Sequence, residues 1–345
     1  MSTFIYTFRF PHHGRYSSYG HLADYLPDET VVDCSLRLPA CLPGRVTDFL
    51  TLLSRTASER RLWRALRGTT RACVHYLYPE NTLLRGPPTD DTIKLVLTCH
   101  QPADYLEKMR WQGFSGFFRG LARADAIVVL DQSLIGTYQQ LAPQARVVTI
   151  PHGVDIDFFS LPPALPEANR ILTVGNWLRD YATWAAVVRA VRARRPDIEF
   201  TVIASPSTLR VARGHLGAHP SGVTLRSGLS DAQLRDAYRE STVLFLPLLD
   251  ASANNAILES MACGLPIVAT DLPAVRDYVG DAAAALFRNA DVPGIAATLT
   301  ALVDDRTARQ TCSDLGRSRA VAMFAWQGIA VSHRQLYSSL VSGTH

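Results

Sequence analysis

The sequence predicts an α/β protein of two domains, each a parallel sheet with crossover helices, and three observations carry that prediction. Short β-branched or apolar runs alternate with longer helical patterns along the chain. The runs are apolar throughout, as expected for parallel strands buried on both faces. The strand pattern breaks at a Pro-rich stretch, residues 161–166, and restarts at residue 170. A chain of 345 residues with 47% hydrophobic side chains is long enough for two ordinary cores.

In the first half the strand-like runs are residues 4–10, 72–78, 93–99, 126–130 and 147–150. In the second they are residues 170–175, 200–204, 243–246 and 267–270, behind a linker stiffened by proline. No period of 20 to 50 residues recurs, which argues against a solenoid or propeller. Ligands of open α/β sheets sit beyond the carboxyl ends of the strands, so the turns after these runs are where chemistry is expected, and two such domains facing each other enclose a cleft.

Composition excludes several classes. The net charge of +4 gives no electrostatic footprint for nucleic acid. Lys94 and Lys108 are the only lysines and no glycine precedes either, which excludes a P-loop and a Schiff-base lysine in the second half. Six cysteines, at 34, 41, 73, 99, 263 and 312, form no close pair and read as free thiols. The start MSTFIYTFRFP carries no basic and apolar leader, and no window approaches the roughly 20 apolar residues of a membrane span, so a cytoplasmic protein is expected.

Residues 250–271 read as loop, short helix, glycine stop and buried strand. Ile257, Leu258, Met261 and Ala262 share one helical face, which sets Glu259 about one turn inside. Helical side chains lean toward the N-terminus, so Glu259 is expected to point to the free N–H groups there, beside Asn254 and Asn255. A carboxylate in that position suits sugar hydroxyls. The plainer reading is an exposed helix glutamate beside two capping asparagines.

Glu259, Met261-Ala-Cys-Gly-Leu-Pro266 and Ile267-Val-Ala-Thr-Asp271 resemble the donor-domain signature of retaining glycosyltransferases of family 4. That signature has two glutamates separated by seven residues, ahead of an Ala-x-Gly-x-Pro-Val-Val-like strand. The resemblance gives Glu259 the second position, which holds the nucleotide ribose. The first falls on Ala251, with Asp250 one residue earlier, so Asp250, Ala251 and Ser252 become the candidates on the sugar side of the donor.

Further matches follow in order. Pro151-His-Gly-Val-Asp-Ile-Asp-Phe-Phe159 looks like the family's interdomain crossing, residues 230–247 like its segment of loop, Leu, Tyr, strand and Pro, and Phe324-Ala-Trp326 like its returning tail. The resemblance implies the GT-B fold. It assigns residues 1–157 to an acceptor domain, 158–325 to a donor domain and 326–345 to a helix crossing back to the first.

Residues 171–175 open into Asn176-Trp-Leu-Arg-Asp-Tyr181, where the family places an arginine and a lysine on the donor diphosphate. Asn176 and Tyr181 stand there instead, leaving Arg179 as the cation of the loop. A guanidinium bridges phosphate oxygens in bidentate fashion, so Arg179 is the expected replacement, and an ion pair with Asp180 is the bland alternative. In the first domain Gly14 lies in the loop after the first strand, where its lack of a Cβ permits close approach to phosphate. His100 directly follows a buried strand and matches a family histidine that contacts sugar. Arg179 and His100 are thus the catalytic candidates. His12 and His13 lack a third ligand nearby and read as loop residues rather than a metal site.

The basic and aromatic stretches 55–67, with Trp63, and 105–123, with Trp111, Phe114, Phe117 and Phe118, suit either inward packing or peripheral contact with an anionic membrane. The implied activity is retaining, metal-independent transfer from a nucleoside-diphosphate sugar, a co-substrate with no cofactor, to a glycan, lipid-linked or small-molecule acceptor. Rival readings are a nucleotide-sugar epimerase or hydrolase of the same fold, a non-catalytic nucleotide-sugar-binding protein and, disfavoured by the lack of Gly-x-Gly-x-x-Gly, a nicotinamide oxidoreductase.

Overall fold

Strands buried on both faces form the centre of two separate sheets in the computed structural model, which describes residues 2–8, 14–36, 44–69, 71–84, 92–111, 114–167, 169–217, 221–280, 284–289 and 291–342. The chain divides into two compact units, Met1–His152 with Trp326–His345, and Gly153–Ala325.

The first unit contains β1 (Ser2–Thr7), β2 (Thr30–Asp33), β3 (Ala72–Tyr76), β4 (Ile93–Cys99), β5 (Ala126–Val129) and β6 (Arg146–Thr149). Its helices are α1 (Gly44–Ala65), α2 (Pro79–Thr82), α3 (Ala103–Trp111), α4 (Ser115–Arg123) and α5 (Ile135–Leu141). The sheet order is β2-β1-β3-β4-β5-β6, every pair parallel. The C-terminal helix Trp326–Ser342 joins this unit because one stripe of it is apolar: Trp326, Ile329, Ala330, Leu336 and Tyr337 are all buried. Two buried polar contacts fix its rotation, His333 Nε2 to Tyr19 Oη at 2.9 Å and Tyr337 Oη to His75 Nδ1 at 2.7 Å.

The second unit contains β7 (Arg170–Val174), β8 (Glu199–Ile203), β9 (Val223–Arg226), β10 (Val243–Leu246), β11 (Ile267–Thr270) and β12 (Ala284–Phe287). They pair in parallel in the order β12-β11-β10-β7-β8-β9. The helices are α6 (Tyr181–Arg194), α7 (Pro206–Leu216), α8 (Asp231–Arg239), α9 (Asn255–Ala262), α10 (Pro273–Val279), α11 (Val292–Asp304) and α12 (Arg306–Phe324). Trp184, Val188 and Val191 of α6 pack with Ile171, Phe200 and Leu299 in one core. Truncating a core aromatic such as Trp184 to alanine costs about 3–5 kcal/mol.

Three strands were not expected from the sequence: β2, β9 and β12. All lie at sheet edges, and β2 and β9 are only part-buried, so they lack the continuous apolar runs of the central strands. In the aromatic stretch 105–123 Phe117 is buried, Tyr105, Phe114 and Phe118 are partly buried, and the Arg110 guanidinium lies 5.5 Å from the Phe118 ring centroid. The exposed apolar row of this unit is instead Val46, Phe49, Leu52 and Leu53 on α1. Among the described residues no helix is long and apolar enough to cross a membrane.

Candidate functional site

Strand order places one candidate site in the second unit. From β7 the chain passes to β8 and β9 on one side, then returns to β10, β11 and β12 on the other. The switch point between the carboxyl ends of β7 and β10 is where an open α/β sheet accepts a ligand. Two loops leave from it, residues 175–180 and 247–254, and the backbone stitches them together: Asp180 N–H donates to the Pro247 carbonyl at 3.0 Å and Leu249 N–H to the Leu178 carbonyl at 2.9 Å. Asn289, after β12, braces both from below. Its Nδ2 donates to the Asp180 carboxylate at 3.1 Å and to the Leu248 carbonyl at 2.7 Å, and its Oδ1 accepts from Thr270 Oγ1 at 2.5 Å.

Gly175 begins the first loop at φ +107, a conformation that favours glycine, and a Cβ there would run into Nη2 of Arg179. That absence lets the half-buried guanidinium fold back under the loop. Nε donates to the Val174 carbonyl at 3.0 Å and Nη1 to the Trp177 carbonyl at 2.8 Å. Burial lowers the Arg179 pKa to about 10. Asp180 does not pair with it: that carboxylate caps α6, accepting from Thr183 N–H at 3.0 Å. Arg179 therefore has no carboxylate partner among the described residues. A desolvated cation without a counter-charge is costly. Tyr181 hydrogen-bonds to the Gly175 carbonyl at 3.2 Å, and Asn176 Oδ1 accepts from Ser205 N–H at 2.5 Å, joining the loop after β7 to the start of α7.

In the second loop Asp250 Oδ1 accepts from Ala251 N–H at 2.7 Å, and Ser252 is buried. Asn254 caps α9 through Oδ1, which accepts from Ala256 N–H at 3.1 Å, and Asn255 is the first helical residue. Glu259 is not the exposed helix glutamate of the bland reading. It is 3% exposed, and its Oε2 accepts from Tyr238 Oη of α8 at 2.8 Å. Burial and the adjacent Glu259 push the Tyr238 hydroxyl well above its ordinary pKa, so the phenol remains a donor. Gly264, at φ +68, ends α9, and Arg317 Nη1 takes the Ala262 carbonyl at 2.8 Å. The loops after β7 and β10 thus carry Asn176, Arg179, Asp250, Ala251, Ser252 and Asn254, with Asn255 and Glu259 in α9, the helix that follows the second loop.

The remaining candidates belong to the first unit, whose sheet switches direction between β1 and β3. His100 follows β4, with Nε2 2.6 Å from the Leu77 carbonyl, so Nε2 carries the proton. The ring stacks on Tyr78, centroids 4.6 Å apart, and meets the Tyr19 edge at 5.1 Å. Burial holds the His100 pKa at about 4, which keeps the imidazole neutral. Its backbone N–H donates to Glu80 Oε1 at 2.6 Å, and burial raises that carboxyl to about 7. Gly14 is half-buried in the loop after β1, whereas His12 and His13 lie outside the described residues.

The triplet Asp155-Ile156-Asp157 has the spacing of a metal-binding pair, but Asp155 Oδ1 accepts from the N–H groups of Asp157 at 3.1 Å and Phe158 at 2.8 Å, an Asx turn. Among the described residues no three His, Cys, Asp or Glu side chains cluster to hold a metal. Sequence reasoning did not single out Asn289, Glu80 or Trp177. Tyr238 carried a signal, since it lies in the stretch 230–247 already matched to the family.

Two six-stranded parallel sheets with crossover helices make the GT-B fold. Residues 168–305 match the family described as glycosyl transferases group 1. It is 29% identical over 247 residues to an MMP alpha-(1->4)-mannosyltransferase of Mycolicibacterium hassiacum, covering 68% of this chain and 59% of the relative. It is 28% identical to a phosphatidyl-myo-inositol mannosyltransferase of Mycolicibacterium smegmatis, covering 60% of this chain and 55% of the relative. The matches therefore span less than two thirds of either relative. Sucrose-phosphate synthase from Thermosynechococcus elongatus shares the fold over 100% of both chains, with a TM-score of 0.73 at 17% identity.

Proposed function

We propose that the protein is a retaining glycosyltransferase that moves a sugar from a nucleoside-diphosphate sugar to a glycan, lipid-linked or small-molecule acceptor without a divalent metal. The observation that carries this reading is Arg179, a partly buried cation at the switch point between β7 and β10 with no carboxylate partner among the described residues. It would meet the diphosphate, whose charge grows as the bond to the sugar breaks, while the N-terminus of α9 adds a favourable dipole. Glu259, oriented by Tyr238, would accept from the ribose hydroxyls, and Asn254, Asn255 and Ser252 would line the same loop. Gly14 and His100 would serve the first unit's side of the reaction, His100 as a neutral imidazole.

The relatives carry mannosyltransferase names, so GDP-mannose with inositol-containing acceptors is the first pair to assay. The test is product analysis by NMR with a panel of sugar nucleotides, acceptors and excess chelator. Transfer with the anomeric configuration kept supports the proposal. Donor consumption that ignores every acceptor, or activity restored only by magnesium or manganese, contradicts it.

A further inference from the structure

Trp177, in the loop 175–180, is 55% exposed. Asn176 is tied to Ser205, and the Trp177 carbonyl to Arg179. Leu178 takes φ +55, a left-handed conformation that bulky residues rarely adopt, and it is the one non-glycine residue with positive φ among those described. Strained backbone of this kind concentrates where a ligand is clamped. The loop is stitched to the one after β10 by hydrogen bonds from Asp180 to Pro247 and from Leu249 to Leu178, and Trp177 and Asp250, the sole acidic residue of 247–254, are the chain neighbours of that second pair. Leu249, beside it, is 63% exposed.

We infer that Trp177 is the platform of the donor's sugar subsite, its indole face receiving the C–H face of the transferred sugar while Asp250 accepts from that sugar's hydroxyls. The inference rests on the donor reading above and adds to it a residue that sets sugar specificity. Three arguments lead to a sugar rather than another group. Phosphate is disfavoured beside Asp250 by like charge. A group bonded directly to the diphosphate lies within reach of a residue two positions from Arg179, whereas the nucleobase is separated from it by a ribose. Apolar and aromatic surface with a few placed polar groups is the composition of a site for a small uncharged ring.

The experiment compares wild type, Trp177→Phe and Trp177→Ala in titrations with UDP, UDP-glucose, GDP and GDP-mannose. Intrinsic fluorescence adds a readout when the wild-type change is compared with that of the Trp177 variants, because Trp177 is 55% exposed whereas Trp184 and Trp326 are buried and Trp63 is partly buried. For the nucleotide that wild type binds, Trp177→Ala should weaken the sugar nucleotide by about tenfold, the scale of one aromatic contact, and leave the diphosphate within about twofold. Trp177→Phe should restore most of the loss, and the fluorescence change on sugar-nucleotide binding should vanish in both variants. Equal weakening of diphosphate and sugar nucleotide would make Trp177 a base or phosphate contact and overturn the inference. So would unchanged affinity for both. Wild-type protein that binds none of the four probes would overturn the donor reading itself, and this inference with it.

Discussion

The hydroxyl of Tyr238 on α8 donates to Glu259 Oε2 on α9 at 2.8 Å inside the second unit, so the carboxylate with the strongest family resemblance is oriented before any ligand arrives. Tyr238→Phe removes that donor and nothing else of comparable size. Unfolding in urea should show a loss of about 1–3 kcal/mol, the cost of depriving a buried charged acceptor of one hydrogen bond. An unchanged midpoint would mean that the pair holds nothing.

Loss of Glu259 should show mainly in the donor KM. Its hydrogen bonds to ribose would be alike in ground and transition states, and uniform binding raises KM without lowering kcat. Steady-state kinetics of Glu259→Gln check this. Abolished turnover at unchanged donor KM would reverse the role.

Acid should destabilise the first unit through its buried histidines. Burial lowers His100 to about 4 and His333 to about 3, and His75 is held well below the ordinary 6.5 by burial and its histidine neighbours. Between pH 6.5 and the folded values the unfolded chain binds protons that the folded state refuses. The contribution is therefore complete above 6.5 and is lost as pH falls through that window. His333→Gln should flatten the fall by about one proton, about 1.4 kcal/mol per pH unit, in urea titrations at stepped pH. An identical slope in the variant would contradict this.

Glu80 has the opposite sign. Its folded pKa is raised to about 7 from 4.5, so the stability it gives is full below 4.5 and is lost as pH rises through 7. Glu80→Gln keeps an oxygen for the His100 N–H but does not ionise. It should gain roughly 1–3 kcal/mol on wild type at about pH 8 and nothing at about pH 4, read as Tm. A gain of equal size at both pH values would exclude ionisation as the cause.

Central strands were legible in the sequence because their burial makes them apolar throughout: β10 and β11 are buried at every position and were expected at residues 243–246 and 267–270. Edge strands such as β2 and β9 were not, since half-exposed positions carry mixed residues. At the site, sequence pointed to Arg179 and Glu259 but not to their surroundings. The fold of the guanidinium beneath Gly175, the Tyr238 hydrogen bond and the brace by Asn289 depend on contacts between distant segments, which no local pattern encodes. The left-handed Leu178 was equally hidden, because nothing about leucine announces it.

Binding of a nucleoside diphosphate in excess chelator, by calorimetry on wild type, Arg179→Lys and Arg179→Ala, tests the central claim most directly. Wild type should bind UDP or GDP, Arg179→Ala should bind about 10- to 100-fold more weakly, as expected for lost hydrogen bonds to a charged group, and Arg179→Lys should fall between because it keeps the charge without the fork. Wild-type affinity retained in Arg179→Ala, or binding that appears only with added divalent metal, would contradict the account.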